Sequence, residues 1–116
     1  MTQPTILKGT LDLLVLRALS WAPMHGFEIL SSLERAAHEP LGIDDSALYQ
    51  ALYRLEAKGL IAAEWGVTDN NRKARYYSLS AAGKAHLKAE IKQWNAYAKL
   101  VSAVLNATPA MALGRA

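Results

Sequence analysis

Apolar residues recur at helical spacing near the start of the chain and predict two helices there. The stripe of the first helix comprises Leu11, Leu14, Val15, Ala18 and Leu19. Thr10 can cap this helix, and Pro23 disfavours helical backbone in the residue before it. A second helix is predicted over residues 27–37. Its core-facing side is expected to comprise Phe27, Leu30, Leu33 and Ala37.

A third helix is predicted between an acidic start, at Asp44 or Asp45, and a stop at Gly59. The carboxylates can accept hydrogen bonds from the free N–H groups of the first turn, and glycine readily adopts the left-handed backbone that ends a helix. The apolar inner face comprises Leu48, Ala51, Leu52 and Leu55. The other faces carry Ser46, Tyr49, Gln50, Tyr53, Arg54 and Lys58.

Two short strands are expected after the third helix, at residues 60–65 and 74–79, with a polar and basic tip at residues 68–73 between them. A helix followed by a hairpin with a cationic tip is typical of a winged helix-turn-helix domain. In such domains the helix enters the major groove of DNA and the wing contacts the backbone. The pattern therefore predicts a mainly α fold with a small β-hairpin wing.

A long last helix is predicted over residues 81–105, with Ser80 as its cap. At 1.5 Å per residue it would be about 37 Å long, which is more than a domain of this size can cover. Its apolar residues recur at alternating spacings of four and three, as in a coiled coil. They are Leu87, Ile91, Trp94, Ala98, Val101 and Leu105. The sequence thus predicts a winged domain at 6–80, a dimerisation helix at 81–105 that pairs with its copy in a second subunit, and a flexible tail at 106–116.

The composition excludes several classes of function. The chain has 116 residues and no cysteine, so it fits one domain with an appended element and has no disulfide or thiolate site. His25, His38 and His86 are scattered, and their spacing does not suggest a metal site. We find no glycine-rich phosphate loop and no nucleophile motif, so we expect neither an enzyme nor a bound cofactor. No signal peptide or membrane-spanning stretch is visible, so the expected location is the cytoplasm.

Positive charge is concentrated in one part of the chain, although the net charge is only +3. Residues 1–66 carry five basic and eight acidic side chains, a net of −3. Residues 67–92 carry six basic and two acidic side chains, a net of +4. Such an excess fits the neutralisation of phosphates. For Lys84, Lys88 and Lys92, a solvated helix face is the favoured interpretation.

The third helix and the wing carry the candidate DNA contacts. Small and polar side chains near the start of a helix can approach base edges, whereas amides and cations at a wing tip can hold phosphates. Tyr49 and Tyr53 lie one turn apart, and the alternative is that they pack against the wing or a neighbouring helix. His25 is expected to cap the second helix or to contact phosphate. The full candidate set is His25, Ser46, Tyr49, Gln50, Tyr53, Arg54, Asn70, Asn71, Arg72, Lys73 and Arg75.

Five segments in this order resemble the PadR family of transcriptional regulators, in particular its short subfamily with a single C-terminal helix. They are residues 7–16, 24–27, 46–49, 55–61 and 75–83. The resemblance implies a homodimeric winged-helix repressor that binds a pseudo-palindromic operator in double-stranded DNA. The chain departs from the family pattern at Gln50, where proline is usual, at Tyr53, where histidine is frequent, and at Phe27, where tyrosine is commoner. Gln50 can donate to and accept from an adenine edge, so operator preference is expected to differ.

The resemblance also implies a small-molecule effector, since some relatives bind flat aromatic compounds near a tryptophan of this helix and others respond to phenolic acids. A planar aromatic or phenolic ligand is accordingly expected near Leu13, Ile91, Trp94 and Tyr97. Alternatives stay open. Trp94 can belong simply to the dimer core, and a repressor can be controlled by its own abundance. A hypothesis from another class is a dimeric protein-interaction module on a winged-helix scaffold.

Overall fold

The computed structural model of the chain describes residue 6 and residues 8–115, which form five helices and one β-hairpin. In chain order, the elements are α1 (Lys8–Trp21), α2 (Gly26–Ala37), α3 (Asp45–Ala57), β1 (Ile61–Val67), β2 (Lys73–Leu79), α4 (Ala81–Leu105) and α5 (Pro109–Leu113). The expected class, mainly helical with a two-stranded wing and a long helix after it, is confirmed. Leu7 and Ala116, which the sequence assigned to the winged domain and the tail, lie outside the described residues.

Helix α1 lies at the centre of the core, where it packs against α2, α3, α4 and the second strand of the wing. Val15 and Ala18 are fully buried, and Leu16 is nearly so. The helix begins at Lys8, so the prediction that Thr10 caps it is wrong. A capping residue has non-helical backbone, whereas Thr10 already lies inside the helix. The apolar stripe identified the buried part of α1 but not its more polar first turn.

Helix α2 begins with a reciprocal pair of hydrogen bonds between His25 and Glu28. The Glu28 N–H donates to Nδ1 of His25 over 3.4 Å, and the His25 N–H donates to Oε1 of Glu28 over 3.2 Å. His25 thus has the capping role that was one of its two expected roles. At the other end, His38 adopts left-handed backbone, with φ of 60°, and its N–H donates to the carbonyl of Arg35.

The buried side of α2 is rotated relative to the expectation. The buried residues are Gly26, Ile29 and Leu33, and Leu30 packs partly against the core. The prediction that Phe27 and Ala37 face the core is therefore wrong, since both are exposed. The reason is a close approach at Gly26, where an added Cβ would lie 2.8 Å from the hydroxyl oxygen of Tyr49. A side chain at position 26 would displace the Tyr49 ring, so glycine, Ile29 and Leu33 form the side of α2 that faces the body, and Phe27 lies outside it.

Helix α3 has the start, face and stop that its sequence indicates. The Ala47 N–H donates to Oδ1 of Asp44 over 2.7 Å, which makes Asp44 the cap. After the helix, Gly59 adopts the left-handed backbone, with φ of 72°. The expected inner face, formed by Leu48, Ala51, Leu52 and Leu55, is buried. The polar faces of α3 are consequently left toward solvent.

The wing is an antiparallel hairpin in which Ile61 pairs with Leu79 and Val67 pairs with Lys73. Both strands extend further toward the tip than expected, so the turn is confined to residues 68–72. Thr68 closes the turn, since its N–H donates to the Arg72 carbonyl over 2.9 Å and its hydroxyl accepts from the Arg72 N–H over 3.2 Å. Hydrogen bonds between the first and last residues of the turn therefore hold the wing tip together.

A third backbone segment pairs with the base of the wing. The Met24 N–H donates to the Tyr77 carbonyl over 3.1 Å, and the Tyr77 N–H donates to the Met24 carbonyl over 2.8 Å. Tyr77 is buried, and this burial raises the pKa of its phenol. These two hydrogen bonds join the connection between α1 and α2 to the wing, so the start of α2 is held at a fixed position relative to the wing.

The start of α4 is packed tightly on the end of α3. Oγ of Ser80 accepts from the Gly83 N–H over 3.0 Å and donates to the Gly59 carbonyl over 2.6 Å. The Ser80 N–H donates to the Leu60 carbonyl over 3.1 Å. Leu87, one turn further along α4, is buried in the core. Ser80 therefore caps α4, as expected, and also fastens it to the α3–β1 connection.

The last described residues include a short helix in the segment expected to be a flexible tail. Thr108 caps α5, since its Oγ1 accepts from the Met111 N–H over 3.2 Å, and Gly114 follows the helix with φ of 66°. Met111 and Leu113 are exposed. Across residue 6 and residues 8–115, no helix combines the length and apolar character needed to cross a membrane.

We expect Gly83→Ala to lower the free energy of unfolding by about 3 kcal/mol or more. An added Cβ would lie 1.9 Å from the Leu60 carbonyl oxygen, so α4 would have to move off the body. Gly9→Ala is the matched control, because a Cβ at that helical position meets no described atom within 4 Å. The control should be neutral or stabilising by up to about 1 kcal/mol. Urea denaturation measures both, and equal unfolding midpoints would contradict the steric argument.

Candidate nucleic-acid interface

The outward side of α3 forms a shallow groove that we call the helix groove. It is lined by Ser46, Tyr49, Gln50, Tyr53 and Arg54. Tyr53 is 77% exposed, and Nε2 of Gln50 lies 3.5 Å from Oγ of Ser46. The N-terminal half of this surface therefore offers a hydroxyl, an amide and a phenol at helical spacing. These groups can donate to and accept from base edges in a major groove.

Tyr49 packs against a neighbouring helix, which was the alternative considered for the tyrosines, and it is also partly exposed. Its ring packs over Gly26, at the start of α2, as a packing residue would. Half of its surface, 52%, is nevertheless exposed in the helix groove. Tyr53, one turn further on, is not covered in this way. The pair thus consists of one anchored ring and one free ring.

Arg54 is held by an ion pair with Asp12 of α1. Nη2 of Arg54 donates to Oδ1 of Asp12 over 2.6 Å, and Nε donates to Oδ2 over 3.4 Å. The hydrogen bond to Asp12 raises the pKa of Arg54, while burial acts in the opposite direction. A two-point guanidinium–carboxylate contact has a fixed geometry. Arg54 therefore lines the helix groove and also fixes α3 against α1.

The cations of the wing differ in how they are engaged. Nη2 of Arg75 donates to Oε2 of Glu56 over 3.0 Å, and its guanidinium lies 5.8 Å from the ring centre of Tyr77. Arg72 and Lys73 are exposed and form no ion pair with any residue of the described chain. The tip thus presents two free cations, and Arg75 stands behind them in a fixed position.

Asn70 and Asn71 also lie at the exposed wing tip, beside Arg72. Asn71 adopts left-handed backbone, with φ of 60°, and its N–H donates to the Thr68 carbonyl over 2.9 Å. Asparagine is one of the few residues that tolerates this backbone, so it suits the turn. Among the described residues, the side-chain amides of both asparagines therefore remain free to contact a phosphate.

A second groove, which we call the wing cleft, lies between the start of α2 and the wing. Its side chains are His25, Phe27, Tyr49, Trp65, Lys73, Arg75 and Tyr77. The structure thus brings together His25, Tyr49, Lys73 and Arg75 from distant parts of the sequence. Phe27 and Trp65 were missed. Phe27 was expected to face the core. The alternation of β1 places Trp65 on the same face as Ile61, but it does not show at which residue the body of the domain stops covering that face.

The expected dimerisation residues of α4 fall into two groups. Leu87 is buried in its own subunit, with 5% of its surface exposed, and Ile91 packs partly against the same core. Further along the helix, Trp94, Val101 and Leu105 expose 45%, 37% and 77% of their surfaces. Only the distal part of the predicted seam therefore has apolar surface left for another chain.

Three of the four expected effector contacts line one groove between α1 and α4, of about 380 Å³. The groove is lined by Gly9, Thr10, Leu13, Glu90, Gln93, Trp94 and Tyr97. The ring centres of Trp94 and Tyr97 are 6.1 Å apart, with the planes tilted by 42°. Ile91 is not among these residues; it lines a separate groove with Leu87 and Arg17. The fourth contact is thus separated from the other three.

No cluster of three or more metal-binding side chains occurs among the described residues. Two of the histidines, His25 and His86, each lie close to a carboxylate three or four residues further along the chain. Nε2 of His25 lies 3.4 Å from Oε1 of Glu28, and Nε2 of His86 lies 3.8 Å from Oε1 of Glu90. Such pairs are ordinary at helix starts and on solvated helix faces.

A three-helix body with a basic two-stranded wing and a polar outward helix defines a DNA-binding transcription regulator of the winged-helix class. A family model described as the transcriptional regulator PadR-like family matches residues 15–89, and the chain belongs to that family. Members of the family are transcription regulators, so the expectation that the chain is not an enzyme is confirmed.

Several known proteins are similar to this chain. Uncharacterized protein X of Lysinibacillus sphaericus is 31% identical over 94 residues, which cover 81% of this chain and 86% of that protein. The structure of a PadR family transcriptional regulator from Eggerthella lenta DSM 2243 is 30% identical, with a TM-score of 0.73 over 87% of this chain and 86% of that chain. A structure from Streptococcus mutans UA159 has a TM-score of 0.79 at 22% identity, over 90% of this chain and 93% of that chain, and shows the likeness in fold.

Proposed function

We propose that the chain is a homodimeric repressor that reads a pseudo-palindromic operator with α3 and holds the flanking backbone with the wing. One observation carries the proposal: Tyr49 lines both the helix groove and the wing cleft, so the two form one continuous surface. A duplex lying on α3 would meet the wing cations at the same time. The two-fold dimer would place the two copies of α3 in half-sites about 34 Å apart.

The two parts of this surface have different roles in the proposal. Ser46, Gln50 and Tyr53 read base edges, because they project from the exposed side of α3 without a charge partner. Arg72 and Lys73 neutralise phosphates, because they are exposed and unpaired in the described chain. Specificity and salt-dependent affinity should therefore be separable by mutation.

Binding of the protein to its own upstream promoter fragment, against a scrambled duplex at several salt concentrations, tests this division. The wild type should prefer the promoter and lose affinity steeply as salt rises. Arg72→Ala should weaken binding to both duplexes by a similar factor and reduce the salt slope by about one unit. Gln50→Ala should change operator preference in a selection from random duplexes and leave the slope unchanged.

Opposite behaviour of the two variants would contradict the assignment. A sequence-specific loss in Arg72→Ala with an unchanged slope would make Arg72 a base reader. An unmoved preference in Gln50→Ala would remove Gln50 from the readers. Equal or absent binding of the wild type to both duplexes would favour the protein-interaction module.

The dimer is inferred from the apolar surface at the far end of α4. Leu100, Val104 and Leu105 expose 66%, 70% and 77% of their surfaces, in addition to Trp94 and Val101. A contiguous apolar stripe of this extent on one helix is typical of an interface between subunits. With spacings of four and three, it can pair with its own copy about a two-fold axis.

We expect the double variant Val101→Glu with Leu105→Glu to sediment as a monomer at concentrations where the wild type is a dimer. Two carboxylates buried in an apolar interface would lose their hydration without gaining a hydrogen-bond or ion-pair partner. The control is Lys92→Glu with Lys99→Glu, which makes the same residue type on the polar side of α4 and should remain dimeric. A dimeric seam variant with a native circular dichroism spectrum would contradict this interface.

Relief of repression is assigned to a planar aromatic or phenolic ligand in the groove beside Trp94. Support comes from the apolar wall formed by Leu13, Trp94 and Tyr97 at the edge of the proposed dimer seam. A ligand there would contact both α1 and α4, and a second subunit would close the open side. Such a ligand regulates only if it favours one spacing of the two winged domains.

Titration with a series of phenolic acids and planar polycyclic compounds should quench tryptophan fluorescence and release the promoter fragment at the same concentrations. Trp94→Phe should lose most of the quenching, whereas Trp21→Phe should keep it. Quenching that persists in Trp94→Phe would place the ligand elsewhere. No response from any compound, with intact promoter binding, would favour a repressor controlled by its own abundance.

A further inference from the structure

Two large aromatic side chains beside the wing are almost uncovered. Phe27, at the start of α2, exposes 77% of its surface, and Trp65, in β1, exposes 69%. Both line the wing cleft, together with the cations Lys73 and Arg75. The roles proposed above for the bases and phosphates use neither ring. Two exposed rings in one basic cleft constitute apolar surface on the side of the molecule that faces DNA.

The backbone fixes Trp65 next to a cation. Trp65 lies directly opposite Arg75 in the hairpin, and Val67 lies opposite Lys73. Side chains at such positions project from the same face of the sheet, with their Cβ atoms about 5 Å apart. Glu56 and the ring of Tyr77 hold the Arg75 guanidinium. The cleft therefore presents a ring and a positioned positive charge side by side.

Phe27 forms the opposite wall of the cleft. The close packing of Tyr49 over Gly26 turns Phe27 away from the body, and the capping box at His25 fixes the first turn of α2. The rings of His25 and Phe27 are nearly parallel, at an angle of 26° with centres 6.5 Å apart. The exposure of Phe27 thus follows from the way in which the start of α2 is packed and capped.

We propose that Phe27 and Trp65 contact the deoxyribose units of the DNA strand whose phosphates are bound by Lys73. The sugar–phosphate backbone alternates anionic groups with the C–H faces of its sugars, and the cleft offers both a cation and aromatic rings. This inference rests on the proposed DNA-binding function and adds to it a contact that salt does not screen. It also makes the wing cleft a sequence-independent part of the interface.

Charge and continuity identify DNA as the occupant of the cleft. The groups that line it include no carboxylate, and Lys73 forms no ion pair with any described residue, whereas the charge of Arg75 is offset by the nearby Glu56. The cleft continues through Tyr49 into the helix groove, where the duplex is proposed to lie. A second copy of the chain is accommodated elsewhere, since the proposed seam lies on the distal part of α4. A backbone strand crossing from α3 to the wing would enter the cleft that both rings line.

The test is duplex binding by Trp65→Ala and Phe27→Ala over a range of salt concentrations. Each variant should weaken binding to the promoter and to the scrambled duplex about tenfold, or about 1.4 kcal/mol, because it removes apolar surface that the sugars would cover. The slope of affinity against salt should stay at the wild-type value, because no phosphate contact is lost. Arg72→Ala, which should flatten the slope, provides the contrasting pattern.

Matched variants separate a DNA contact from a folding defect. Trp65→Phe retains a ring and should bind within about threefold of the wild type. Trp21→Ala removes a tryptophan that is 46% exposed at the end of α1, outside the wing cleft, and should bind normally. All variants should give native circular dichroism spectra before their affinities are compared.

Three outcomes would overturn the inference. Unchanged duplex affinity in both alanine variants would remove the rings from the interface. A flattened salt slope would mean that the variants act through the neighbouring cations. A larger loss for single-stranded DNA than for duplex would indicate stacking on bases and not on sugars. If the wild type itself bound no duplex, the proposed function would fail together with this contact, and the wild-type titration reveals that case directly.

Discussion

The contact between the first turn of α4 and the α3–β1 connection is the constraint on which the arrangement of the molecule depends. Ser80 caps α4 and also donates to the Gly59 carbonyl, while the helix backbone at Gly83 approaches the Leu60 carbonyl too closely for any side chain. The end of α3, both strands of the wing and the start of α4 therefore meet at one place. A change in any of these elements has to be accommodated there.

Local sequence was sufficient to predict most of the elements, because their signals lie within a few residues. Asp44, Gly59 and Ser80 mark helix ends through hydrogen bonds and backbone preferences that need no distant partner. The apolar face of α3 followed equally directly from its period. The first turn of α1 was missed because it carries no apolar stripe, and the position of Thr10 inside the helix gave no local sign.

The misplaced residues depend on contacts between distant parts of the chain. The orientation of Phe27 is set by Tyr49, which lies 22 positions later and covers the glycine beside it. Leu87 fits the heptad pattern as well as Val101 does, but only the body of the domain determines that Leu87 is buried and Val101 is not. Periodicity identifies which residues share a face, whereas the length of the neighbouring elements determines how far along the helix that face is covered.

Two ion pairs show why charge in the sequence does not translate directly into charge at the interface. Arg54 and Arg75 were both candidates for DNA contacts, and both have a carboxylate partner in the fold, Asp12 and Glu56. The pair on α1 is the less exposed of the two and makes two hydrogen bonds. It holds α3 against α1, and the pair on the wing keeps Arg75 beside Tyr77. Free and engaged cations are distinguished only once the chain is folded.

Because α4 is long, a small change in the angle at one of its ends produces a large displacement at the other. The helix is rooted in the winged domain at Ser80, and its apolar end lies 25 residues away, about 37 Å along the axis. A tilt of only about 5° at the far end would displace the rooted end by about 3 Å over that length. In the proposed dimer, a small angular change between two paired α4 helices would therefore move each winged domain by a distance comparable with the spacing of neighbouring base pairs. A movement of that size would shift α3 relative to the DNA groove in which it is proposed to lie.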